Sequence, residues 1–147
     1  MRVPILAVVL AGCGNPDVPE NIAIGQTCRS HCGMSGFGVE SCTEFQRAED
    51  TVLQAYKPLF DIERACIALD GVSVYKTDLF EVVPGIIGRY YFKSKTIVLT
   101  KLPLKDNSFP HEVGHALESE VNELYGHEEW EARGFLKSIK TYKEAMN

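Results

Sequence analysis

The run His111-Glu112-Val113-Gly114-His115 sets two imidazoles four residues apart, with a carboxylate directly after the first. On an α-helix, residues four apart share one face, so both side chains can reach a single metal ion. Imidazole nitrogen binds Zn2+ at about 2.0–2.1 Å. Glu112 is then placed to reach a water on the ion rather than the ion itself. Zinc lowers the pKa of such a water towards ~7, and a carboxylate can take its proton as it attacks a carbonyl. The competing reading of the same residues is a surface helix with two histidines and a solvated glutamate.

A catalytic zinc commonly takes three protein ligands and a water. Three of the four histidines fall within residues 111–127, and the downstream candidates are His127, Glu128, Glu129 and Glu131. An unbroken helix to Leu124 would carry the chain about 13 Å beyond His115, at 1.5 Å per residue, leaving residue 127 far from the ion. A helix that stops near Asn122, with a turn at Tyr125-Gly126, would fold back and present His127. His127 is therefore the first choice for third ligand, and Glu129 and Glu131 are the alternatives. Tyr90, Tyr91, Tyr125 or Tyr142 could stabilise an oxyanion, although half-buried packing is the commoner use of such tyrosines. Trp130 reads as core or as a wall over the ligands. Glu118, Glu120 and Glu123 read as a solvated helix face, and His31 as a loop residue.

The elements that must position these residues are also patterned. Asp106-Asn107-Ser108 caps a helix entered through Phe109-Pro110, and proline suits a first helical turn. Upstream, Gly88 to Leu102 reads as a hairpin, with β-rich runs on either side of Lys93-Ser94-Lys95. Thr43 is the predicted N-cap of a helix over 44–56, on which Phe45, Ala48, Val52, Ala55 and Tyr56 have helical spacing. Pro58 interrupts it; Ile62, Ala65, Cys66 and Leu69 continue a helical face that Asp70-Gly71 ends. Val72 to Tyr75 alternates like a strand, Leu79 to Val83 could be another, and Pro84-Gly85 marks a turn. Glu128 to Ala145 reads as a last helix. Gly114 and Ala116 are small enough to let the His111–His115 helix pack closely beneath a sheet. The predicted fold is α+β: a small twisted sheet on that helix, followed by a C-terminal helix.

Together, the motif, the hairpin before it and the helix after it resemble the zincin metallopeptidases over roughly residues 43–147. That resemblance implies a zinc-dependent peptidase with His111 and His115 as ligands and Glu112 as general base. It also implies a polypeptide substrate lying along an edge strand, here expected near 96–100. Small exported zincins carry a histidine shortly after the motif, followed by a tryptophan, and His127 and Trp130 fit that. The metzincin pattern is absent, since Glu118 and Val121 occupy its glycine and histidine positions. A gluzincin-like site would draw its ligand from Glu129-Trp130-Glu131-Ala132, although Arg133 departs from that pattern. A function of a different class is a zinc-binding lipoprotein that acts as a binding module with little turnover.

The N-terminus carries its own signal. Met1-Arg2 and the apolar run Val3 to Leu10 precede Leu10-Ala11-Gly12-Cys13, which resembles the lipobox of bacterial lipoproteins. This implies a signal peptide over 1–12, a lipid anchor on Cys13, and an exported protein on the periplasmic face of the outer membrane or on the cell surface. Residues 13–42, rich in glycine and cysteine, read as an irregular arm that could cover the cleft, and residues 43–147 as the metallopeptidase domain. With Cys13 set aside, Cys28, Cys32, Cys42 and Cys66 make an even set, suggesting two disulfides in one of three pairings. A net charge of −5 leaves no basic field for nucleic acid and no polybasic membrane patch. The sequence assigns no oligomeric state. If Cys13 is acylated, Cys13→Ser should abolish the lipid-borne mass increment on the N-terminal peptide in mass spectrometry; an unmodified wild-type Cys13 would rule the anchor out.

Overall fold

Residues 28–29, 32–37, 41–78, 82, 85–100, 103–120 and 127–147 are described by the computed structural model. The elements run β1 (Cys28–Arg29), β2 (Ser35–Phe37), α1 (Cys42–Ala55), α2 (Ile62–Leu69), β3 (Ser73–Lys76), β4 (Gly88–Tyr91), β5 (Thr96–Leu99) and α3 (Ser108–Glu120). One turn of 3-10 helix (His127–Glu129) then leads into α4 (Trp130–Arg133) and α5 (Phe135–Met146). This is an α+β chain, as the order of patterns predicts.

The sheet is mixed, with strand order β1-β2-β3-β5-β4. β1 and β2 are antiparallel, β2–β3 and β3–β5 are parallel, and β4–β5 is the antiparallel hairpin. A parallel pair needs a crossover connection, and α1 and α2 supply the one between β2 and β3. The hairpin turns at residues 92–95, where Lys95 takes a φ of 52°.

The position of β5 corrects one expectation. All four of its residues are buried, and it is paired on both sides, to β3 and to β4. Strand 96–99 therefore cannot receive a further strand, and among the described residues the end strand next to α3 is β4. A continuous apolar run marks a strand covered on both faces. Here Ile97 and Leu99 enter the main core, while Val98 packs with Val82, Tyr75 and Tyr91 on the other face.

Local chemistry explains most boundaries and a few shifts from expectation. The N-cap of α1 is Ser41 rather than Thr43; its side chain accepts from Glu44 N at 3.1 Å. Asp61 caps α2 in the same way, through Arg64 N. The final helix is not continuous: Gly134, at φ 93°, breaks it between α4 and α5. Only glycine adopts that conformation freely. Gly114 does provide a close approach, but to other helices rather than to the sheet. A Cβ there would lie 3.1 Å from Trp130 Cη2 and from Tyr56 Oη, and 3.3 Å from Phe135 Cε1.

Part of the segment read as an irregular arm belongs to the sheet, as β1 and β2, at the end opposite β4. The cysteines pair as Cys28–Cys42 and Cys32–Cys66, which ties that segment to α1 and α2. Residues 1–27, 30–31, 38–40, 79–81, 83–84, 101–102 and 121–126 lie outside the described residues, and with them Cys13, His31, most of the proposed strand at 79–83, Glu123 and Tyr125. Among the described residues, no helix is long and apolar enough to cross a membrane.

The two disulfides close loops of different length, with sequence separations of 14 and 34. Loop-closure entropy then assigns about 3 kcal/mol to Cys28–Cys42 and about 4 kcal/mol to Cys32–Cys66. Replacing each pair by alanine and measuring urea midpoints should reproduce that order, with the Cys32/Cys66 variant the less stable.

Candidate metal centre

Helix α3 has a dry side and a wet side. Phe109, Val113, Ala116 and Leu117 are buried and hold it against the core, while His111, His115 and Ser119 remain partly exposed. The helix is packed by β4 and β5, and by α2 and α5. Its first internal hydrogen bond runs from His111 N to Asn107 O at 3.0 Å. This agrees with the predicted cap at 106–108.

The Nε2 atoms of His111 and His115 are 3.2 Å apart. His127, reached through the chain that follows α3, brings its Nε2 to 2.9 Å from that of His115. One ligand atom from each of the three lies within 4.8 Å of the others. Tetrahedral coordination at 2.0–2.1 Å separates neighbouring nitrogens by roughly 3.3–3.4 Å. The His115 nitrogen stands near that spacing from each of the other two, and three imidazole nitrogens within 4.8 Å of one another form a donor set that could hold a metal ion. The alternatives for the third position do not join it: Glu129 and Glu131 are exposed, and the convergent group consists of the histidines.

Trp130 is the floor of the centre. It is buried, and its ring centroid lies 4.7 Å from those of His111 and His115 and 5.2 Å from that of His127. Behind it, Phe135 stacks at 4.6 Å. Burial holds the pKa of His111 and His115 down to about 4, with neighbouring imidazoles adding to the effect. Both rings therefore stay neutral, as metal ligands must.

Glu112 is buried between α3 and β4. Burial pushes its pKa up to about 7, against the opposing effects of a Tyr90 backbone hydrogen bond and of Arg89. Gly88 lies against it, and the close approaches there are to Leu99 and Ser108: a Cβ at 88 would stand 3.2 Å from Leu99 Cδ2 and 3.3 Å from Ser108 Cβ, but at an ordinary 3.5 Å from Glu112 Cγ. The histidines and Glu112 open into a cleft of about 580 Å³, whose other wall includes Ile86, Tyr90 and Phe92. That wall is mainly the end strand β4 and the residues flanking it.

Other sequence expectations divide. Tyr142 is buried and donates to Leu104 O, and Tyr91 packs on Val82 and Val98, so neither faces the histidines. Tyr90 lines the cleft. Glu118, read as solvated, is buried: its Oε1 lies 3.3 Å from His115 Nδ1, and its Oε2 accepts from Trp130 Nε1 at 3.2 Å. Its signal was the three-residue step from His115, which puts it beside that ring on the helix. Burial by Trp130 was not visible in the sequence.

Comparison with protein-family models, with curated proteins and with solved structures finds no match to this chain.

The raised pKa of Glu112 has a definite sign for stability. The native state binds this proton more tightly than the unfolded chain, so the contribution is full below the ordinary value of 4.5 and is lost as pH rises through about 7. Glu112→Gln should therefore stabilise the metal-free protein at about pH 8, by up to about 3 kcal/mol, with the difference vanishing near pH 4. Urea unfolding of both proteins across that range checks it; equal stability at both ends would contradict the burial of an ionisable carboxyl.

Proposed function

We propose that this protein is a zinc-dependent peptidase in which His111, His115 and His127 hold the ion and Glu112 is the general base. The observation that carries this reading is the convergence of three imidazole nitrogens beside a buried carboxyl whose pKa lies near 7. An ion bound there would acidify a water and polarise a carbonyl oxygen. The chain's own residues do the rest. Glu112, poised near neutrality, can take the proton of an attacking water and return it to the leaving amine. Trp130 and the β4 wall narrow the access of bulk water to the histidines.

An extended polypeptide is the substrate class that fits the shape. β4 is the terminal strand of the sheet among the described residues and borders the cleft. A terminal strand offers backbone groups to which another extended chain can add. Two disulfides favour an exported protein, and the lipobox-like Leu10 to Cys13 is the basis for proposing a lipoprotein anchored through Cys13.

Metal analysis of the purified protein should find about one zinc per chain, lost in His111→Ala and reduced in His127→Ala but retained in Glu129→Ala and Glu131→Ala. Glu112→Gln should keep the zinc and lower peptide hydrolysis by about 10²–10⁴-fold. No zinc in the wild type after refolding with excess metal would overturn the reading. Zinc with undiminished activity in Glu112→Gln would remove Glu112 from the reaction.

A further inference from the structure

Glu118 stands three residues past His115 on α3, and its two carboxylate oxygens serve two different groups. Oε1 faces His115 Nδ1 at 3.3 Å, and Oε2 accepts from Trp130 Nε1 at 3.2 Å. A carboxylate only accepts, and an indole N–H only donates. A carboxylate beside Nδ1 favours the tautomer that carries its hydrogen there. Nε2 then keeps a lone pair, and Nε2 is the atom turned towards His111 and His127. Trp130 directly follows the turn His127–Glu129. The carboxylate that sets the lone pair of His115 thus also holds the segment that delivers His127.

We propose that Glu118 is a positioning residue: by sharing one buried carboxylate between His115 and Trp130, it presets the tautomer of the second ligand and the location of the third. This rests on the reading of the three histidines as a metal centre. Glu118 touches no substrate and acts through His115 and Trp130. A purely packing role would cost stability in a variant but would leave the tautomer of His115 unchanged.

The test uses the full, disulfide-bonded chain, with zinc itself as probe. Nitrogen-15 NMR of the metal-stripped wild type should show His115 with its hydrogen on Nδ1. Glu118→Gln keeps the shape but has only one acceptor oxygen. With the Trp130 N–H taking that oxygen, the amide NH2 faces His115 Nδ1, and the hydrogen moves to Nε2. Zinc affinity by chelator competition should then fall about 10–100-fold, the usual effect of losing such a partner. Combining Glu118→Gln with Trp130→Phe frees the oxygen for His115, which should restore the Nδ1–H form and part of the affinity. His111 should keep its tautomer throughout. A wild-type His115 with its hydrogen on Nε2 overturns the proposal, as does a folded Glu118→Gln chain that binds zinc within about twofold of wild type. A wild type that takes up no zinc overturns the metal centre itself, whereas zinc uptake undiminished in Glu118→Gln overturns only the role of Glu118.

Discussion

The close approach of α3 to Trp130 at Gly114 is the contact on which the rest of the centre depends. Any side chain at 114 would meet Trp130, Tyr56 and Phe135 at 3.1–3.3 Å. All three are buried, and Tyr56 is further fixed by its hydroxyl, which donates to Pro110 O. Protein interiors are packed as densely as crystals, so such a clash has little room to relax. Without a Cβ, the indole lies directly against the helix, beside His111 and His115. The turn that precedes Trp130 then brings His127 to the same point. Three donors from segments twelve residues apart are assembled by one missing methyl group.

That assembly works against stability in ways the scaffold must offset. The partly buried rings of His111 and His115 and the buried Glu112 and Glu118 have exchanged water for protein, and polar burial is costly unless partners are supplied. The partners are specific: the Tyr90 backbone for Glu112, and His115 and Trp130 for Glu118. Around them, Tyr56, Phe60, Phe135 and Trp130 form a chain of edge-to-face and stacked rings. Such rings bury large apolar areas and resist distortion. The two disulfides secure the far end of the sheet, where β1 and β2 are only 2 and 3 residues long.

The arrangement of the sheet decides how the cleft is bounded. β5, apolar along its length, is enclosed between β3 and β4, which leaves β4 to border the cleft. Glycine at 88 lets that strand approach Leu99 and Ser108 closely, with Glu112 buried beside it. Edge position and a buried carboxyl are thus one arrangement, and moving β4 would shift Glu112 relative to the histidines.

What the sequence determined was local. The four-residue step from His111 to His115, the hairpin that begins at Gly88, the cap at 106–108 and the stop at Asp70-Gly71 all follow from short-range stereochemistry, in which a residue's neighbours along the chain are also its neighbours in space. His127 was named from a turn argument, while Glu129 and Glu131 stayed open because spacing alone cannot say where a returning chain will land. What only the tertiary structure decided was long-range. It paired Cys28 with Cys42 and Cys32 with Cys66, enclosed β5 and turned Glu118 inward. Each of these depends on surfaces brought together from distant parts of the chain. A glutamate on a helix is solvated or buried according to what packs over it, and for Glu118 that is Trp130, twelve residues away.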